Sequence, residues 1–170
     1  MLYKLRVFLE TEKEDVYRDI VIQKDASLED LHNVIVNSFD FDGNEMASFY
    51  LTDDDLNQGL EIPLFNMDEH QPANNTMSNT IIKDVISEET PNLLYVYDFF
   101  NMWRFLIGMI EEIEEVAGED YPQVVYAKGI RPEDPPEINF NQEIEDQYDI
   151  FEENENPFDD YFGYEEDEWN

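Results

Sequence analysis

Residues Leu93 to Ile113 read LLYVYDFFNMWRFLIGMIEEI, the densest apolar run in the chain. Leu93, Tyr95, Tyr97 and Phe99 alternate with Leu94, Val96, Asp98 and Phe100. Both sets are mostly apolar, and aromatic with β-branched residues favours strands. Asn101 suits a turn. From Met102 to Ile110 the run is apolar again, broken by Arg104 and Gly108, and Glu111 to Glu115 then place charge at its end. The stretch therefore reads as two strands joined by a bend. A buried helix is the rival reading, because periodicity does not separate the two in a short apolar run. Asp98, Asn101 and Arg104 interrupt the run before it reaches about twenty residues, which argues against a membrane span.

Upstream, Tyr3, Leu5, Val7 and Leu9 alternate with Lys4, Arg6 and Glu10, the period-two pattern of a half-buried strand. Thr11 to Asp15 is a charged turn, and Val16 to Ile22 completes a hairpin. Ser27 opens a helix: its hydroxyl can cap free amides, and Asp30 complements the dipole. Leu28, Leu31, Ile35 and Phe39 recur at helical spacing, with Val34 beside them, so the helix should lie across the hairpin. Ala47 to Thr52 reads as a strand, and Leu60 to Leu64 as a short edge strand limited by Pro63. Asp68 to Asn79 is polar and reads as a loop. Thr80 to Ile86 suits one helical turn carrying Ile82, Val85 and Ile86 inward. Val124-Val125-Tyr126 is a further extended segment, and GIRPEDPP, from Gly129 to Pro136, is a loop by its prolines.

Charge divides the chain. The net charge is −34 over 170 residues. Glu133 to Asn170 holds 16 acids and no Lys or Arg, which leaves 27 acids against 9 bases before it. Residues 1–136 read as one domain, and 137–170 as a disordered acidic tail. The tail also carries eight aromatics: Phe140, Tyr148, Phe151, Phe158, Tyr161, Phe162, Tyr164 and Trp169. Phe158, Tyr161, Phe162 and Trp169 are candidates for anchoring a partner's pocket. The charge repels nucleic-acid phosphates and anionic lipid, so neither direct nucleic-acid nor membrane binding is expected, whereas a basic protein is a fitting partner. With no Cys, disulfides, thiolate metal sites and a Cys nucleophile are excluded. The N-terminus alternates charge with apolar residues and lacks a signal-peptide core, which points to the cytoplasm.

Tyr97-Asp98-Phe99, followed by Trp103, resembles the tyrosine-aspartate-phenylalanine-glycine-aspartate-x-tryptophan-x-histidine signature of the plasmid pRiA open-reading-frame-three-like family, also labelled a transposon-passenger, TnpR-type family. Phe100 stands where that family has Gly, Asn101 where it has Asp, and Phe105 where it has His. Tyr17-Arg18 resembles the family's Trp-Arg pair. Leu31-His32-Asn33-Val34-Ile35 is similar to its leucine-histidine-x-valine-isoleucine helix. Pro132-Glu133-Asp134 resembles its proline-proline-glutamate-aspartate segment without the Cys and Gly residues that follow. The resemblance covers residues 2–136. It implies an α+β domain with a mixed, mainly antiparallel sheet, an N-terminal β-hairpin and a packed helix, and it transfers no biochemical activity.

The signature residues Tyr97, Asp98, Phe99, Trp103 and Arg104 are the candidate site. Asp98 and Arg104 flank Trp103 and either line a polar pocket with aromatic walls or form a pair that holds the bend. His32 reads as a packed helical residue and His70 as a solvated one, and no acid–base partner for either is visible. Asp40-Phe-Asp-Gly-Asn-Glu45 looks superficially like a calcium loop. Its Gly falls at the fourth place rather than the sixth and no acid closes it at the twelfth, so it reads as a turn. Nucleophile elbows, phosphate loops and dinucleotide fingerprints are absent from the sequence, and no cofactor or metal is called for. The sequence thus leans away from an enzyme, towards an interaction module. The alternatives are an acidic nucleic-acid mimic that occupies a basic protein, and an enzyme with a pocket near Asp98, Trp103 and Arg104.

Overall fold

The computed structural model describes residues 1–12, 14–66 and 75–135. Its elements run β1 (Leu2–Leu9), β2 (Val16–Gln23), α1 (Leu28–Ser38), β3 (Ala47–Thr52), β4 (Gln58–Pro63), β5 (Asn92–Tyr97), β6 (Trp103–Ile113) and β7 (Gln123–Lys128). Two 3-10 turns, Met77–Asn79 and Ile82–Asp84, lie between β4 and β5. The acidic tail, 137–170, and His70 with most of its polar loop lie outside the described residues.

The seven strands form one sheet in the order β4-β3-β5-β6-β1-β2-β7. The Leu93–Ile113 run occupies its middle as β5 and β6, with Tyr97 opposite Trp103 and Asn92 opposite Gly108, which removes the buried-helix alternative. The sheet is not mixed: every pairing is antiparallel. The reason is the path of α1. It carries the chain from β2 to β3, two strands that run the same way but are kept apart by β1, β6 and β5.

The helix is fixed at its start by a full capping box. The Asp30 amide donates to Ser27 Oγ at 3.1 Å, and the Ser27 amide donates to Asp30 Oδ2 at 3.2 Å. At its other end, Arg18 from β2 is buried beneath the last turn. Its Nε donates to the Ser38 carbonyl at 3.0 Å, its Nη1 donates to the carbonyls of Tyr17 and Lys128, and its guanidinium sits 4.7 Å from the Phe39 ring centre. A cation at a helix C-terminus opposes the negative end of the dipole.

One face of the sheet packs against α1. Leu5, Val7 and Leu9 of β1, Ile20 and Ile22 of β2, Phe49, Tyr95, Phe105 and Ile107 meet Leu28, Leu31 and Ile35 in one core. Each such side chain contributes about 1.5–3 kcal/mol on burial. Ile82 of the second 3-10 turn and Ile86 just after it join the core, with Val85 packed at its margin. The other face bears one continuous row in register: Tyr50, Leu94, Leu106, Phe8 and Tyr17. Phe8 stacks on Tyr17 at 6.2 Å, and Arg6 lies 4.3 Å over the Tyr17 ring while holding Asp19 at 2.8 Å. No helix among the described residues is long and apolar enough to cross a membrane.

Candidate functional site

The signature folds as the β5–β6 hairpin and its five-residue loop. Alternation along the two strands sends Tyr97 and Trp103 to the helix side, while Arg104 faces the other way. On the helix side an aromatic cluster forms around Phe41. Its ring centre lies 4.5 Å from that of Tyr97, 5.4 Å from Trp103 and 6.1 Å from Phe105. Edge-to-face and tilted contacts of this kind add to simple area burial. Arg131, from the proline-rich loop after β7, closes the cluster. Its guanidinium sits 4.5 Å from Phe41 and 5.3 Å from Trp103, and it donates to the carbonyls of Phe39 and Asp40 at 2.8 and 3.2 Å.

The polar groups of the signature are engaged within the fold. Asp98 takes a left-handed backbone, φ 62°. Its Oδ1 accepts from the amides of Phe100 and Asn101 at 3.1 and 3.3 Å, and its Oδ2 accepts from Asn101 Nδ2 at 2.6 Å. This is an Asx turn, which lets a short acid occupy a conformation most side chains avoid. Tyr97 donates to Asp42 Oδ1 at 3.0 Å and accepts from the Gly43 amide at 3.0 Å, tying the 40–45 turn to β5. The Asn44 amide and the Tyr97 hydroxyl hold the Asp42 carboxyl below the usual carboxylate range, while burial raises Tyr97. Arg104 stands 3.7 Å from Glu10 on the opposite face. The structure therefore unites Tyr97 and Trp103 and does not bring Asp98 to Arg104.

The three departures from the family signature have distinct surroundings. Phe105 points inward and is fully buried between Phe39, at 4.9 Å, and Tyr95, at 5.4 Å. Asn101 serves the Asp98 turn. Phe100 projects from the loop with 92% of its surface exposed, and Phe99 beside it is 43% exposed. The Met46 carbonyl accepts from the Asp98 amide, which sets the exposed carboxylates of Asp42 and Glu45 on a segment bonded to this loop.

Deeper in the core, His32 Nδ1 and the Tyr95 hydroxyl share a hydrogen bond of 2.7 Å, both side chains buried. Burial brings the imidazole down to about 4 and pushes the phenol well up. Sequence reasoning found His32 as a packed residue but had no signal for Tyr95 as its partner, 63 positions away. Phe41, Asp42 and Arg131 were likewise invisible as a group, because only the chain path joins them. Among the described residues no group of three or more His, Asp or Glu side chains is placed to hold a metal ion.

No curated protein matches the chain. A crystal structure of a protein of unknown function, MM3350 from Methanosarcina mazei Go1, shares the fold with a TM-score of 0.67 at 18% identity, covering 91% of this chain and 83% of that one. A family model matches residues 1–165, well past the proline-rich loop. On that match the chain belongs to the plasmid pRiA4b ORF-3-like protein family.

Proposed function

We propose that the chain is a non-enzymatic interaction module for a basic protein, and that the β5–β6 loop is its point of contact. The observation that carries this reading is the contrast within the signature. Asp98, Asn101, Tyr97 and Arg104 make hydrogen bonds or ion pairs inside the domain, while Phe99 and Phe100 stand exposed on a loop hydrogen-bonded to the segment that follows the exposed Asp42 and Glu45. Exposed aromatics on a strongly acidic domain suit a partner that offers an apolar pocket or side chain within a basic surface. The net charge of −34 favours such an encounter at long range. The acidic, aromatic residues beyond 136, among them Phe158, Tyr161, Phe162 and Trp169, have the same chemistry and extend the same reading.

The test is an array of Lys/Arg-rich peptides, with and without an apolar anchor, probed with the full chain and with Phe99→Ser/Phe100→Ser. The expected result is preferential binding of the anchored peptides, weakened about tenfold or more by the substitutions. Binding that ignores both the anchor and the substitutions, and that disappears at high salt, would favour charge mimicry of nucleic acid instead. No binding to any basic peptide would overturn the reading.

A further inference from the structure

We infer that β7 is a self-pairing edge, through which a second copy of this chain extends the sheet. The two edges of the sheet differ. β4 carries Glu61, ends in Pro63 and follows Asp53, Asp54 and Asp55, so a second copy there would meet like charges and a missing donor. β7 reads QVVYAK, with no acid and no proline. Among the described residues, no strand lies beyond it. Alternate amides and carbonyls along β7 therefore face away from β2, the arrangement that templates strand addition. Val124, Val125 and Tyr126 are 44%, 48% and 53% exposed, an apolar centre for such a contact.

Charge selects the occupant. β7 is bipolar: Glu119 and Asp120 precede it and Lys128 ends it. A two-fold antiparallel pairing sets each copy's Lys128 towards the other's Glu119 and Asp120, with the valines and Tyr126 in the middle. Parallel pairing would stack base on base and acid on acid. Lys128 is available for this exchange, because its pairing with Asp15 is loose, at 3.7 Å, with both side chains more than half exposed. Tyr126 also continues into the aromatic row through Tyr17, at 5.9 Å, so the row and its Arg6 back the edge rather than leave it isolated.

A six-residue edge buries less than the ~1,200 Å² of a standard stable interface, so the dimer is weak and concentration-dependent. The −34 charge on each copy opposes association at long range, and screening relieves it. The experiment is sedimentation velocity of the full chain over rising concentration, at low salt and at ~0.3 M salt where the Debye length has fallen to about 6 Å. The expected result is a dimer that is favoured by salt and weakened about tenfold by Lys128→Glu. The double variant Lys128→Glu/Asp120→Lys, which exchanges the two ends, should restore it. A chain that stays monomeric to about 1 mM at the higher salt overturns the inference. So does a dimer indifferent to Lys128→Glu, or one that the exchanged variant fails to restore.

Discussion

Replacing His32 by Gln should flatten the acid side of the stability profile. His32 is 3% exposed, and burial holds its imidazole at about 4, against an ordinary 6.5. The folded chain therefore leaves this ring neutral down to about pH 4, while the unfolded chain protonates it below about 6.5. Between these values the unfolded state binds more protons, so stability rises with pH there and is lost as pH falls. Above about pH 7 the ring contributes no slope. At ~1.36 kcal/mol per pKa unit, the full window is worth about 3 kcal/mol, and about 2 kcal/mol is gone by pH 5. Gln keeps a polar atom for the Tyr95 hydroxyl but cannot titrate. The assay is urea unfolding, followed by tryptophan emission, of both proteins at about pH 7.5 and pH 5. The many carboxylates act on both proteins alike, so the difference between them isolates the ring. The wild type should lose about 2 kcal/mol more than the variant. Equal losses would refute the reasoning, because a neutral imidazole locked against Tyr95 cannot be silent in this window.

Two further substitutions test the backbone of the site. Arg18→Met strips the Ser38, Tyr17 and Lys128 carbonyls of a shared charged donor, and should cost about 2–4 kcal/mol, read as a fall in Tm. An unchanged Tm would remove Arg18 from the account of how β2, β7 and the helix end are joined. Asp98→Ala loses three accepted hydrogen bonds and leaves alanine in the left-handed region, so it should cost about 2–4 kcal/mol. Asp98→Asn, which tolerates that backbone and can still accept from the two loop amides, should cost about 1 kcal/mol or less. Equal losses from the two would mean that the charge of Asp98, rather than its turn geometry, matters.

Local signals carried most of the secondary structure. The alternation of Tyr3 to Leu9, the Ser27–Asp30 cap and the apolar periodicity of Leu28 to Phe39 each depend on neighbours a few positions apart, and each element formed where its pattern lay. The bend between β5 and β6 was legible from Asn101, but its left-handed residues are Asp98 and Met102. An Asp is able to adopt that form only through the hydrogen bonds it makes, which the sequence does not print. The helix's passage over three intervening strands was not legible either, and with it went the absence of parallel pairing. The site suffers most from this limit. Tyr97 finds Asp42 across 55 positions, and Arg131 finds Phe41 across about 90 and Trp103 across about 30, and no short-range pattern specifies such meetings. Conversely, the sequence suggested that Asp98 and Arg104 belong together, although strand alternation puts Arg104 on the far face.

The placement of β1 has a consequence for synthesis. Its partner on one side, β2, follows within a few residues, but its other partner, β6, pairs Leu2 with Ile113 and Leu9 with Phe105. At ~5–20 residues per second, β1 waits about 5–20 s with one edge unpaired before β6 is made. A bare strand containing Leu5, Val7, Phe8 and Leu9 is an aggregation hazard for that interval. Lys4 and Arg6 alternate with those residues and act as gatekeepers during the wait. Two of the chain's nine bases thus stand where a nascent hairpin most needs protection, and the finished sheet later turns one of them, Arg6, to Asp19 and Tyr17.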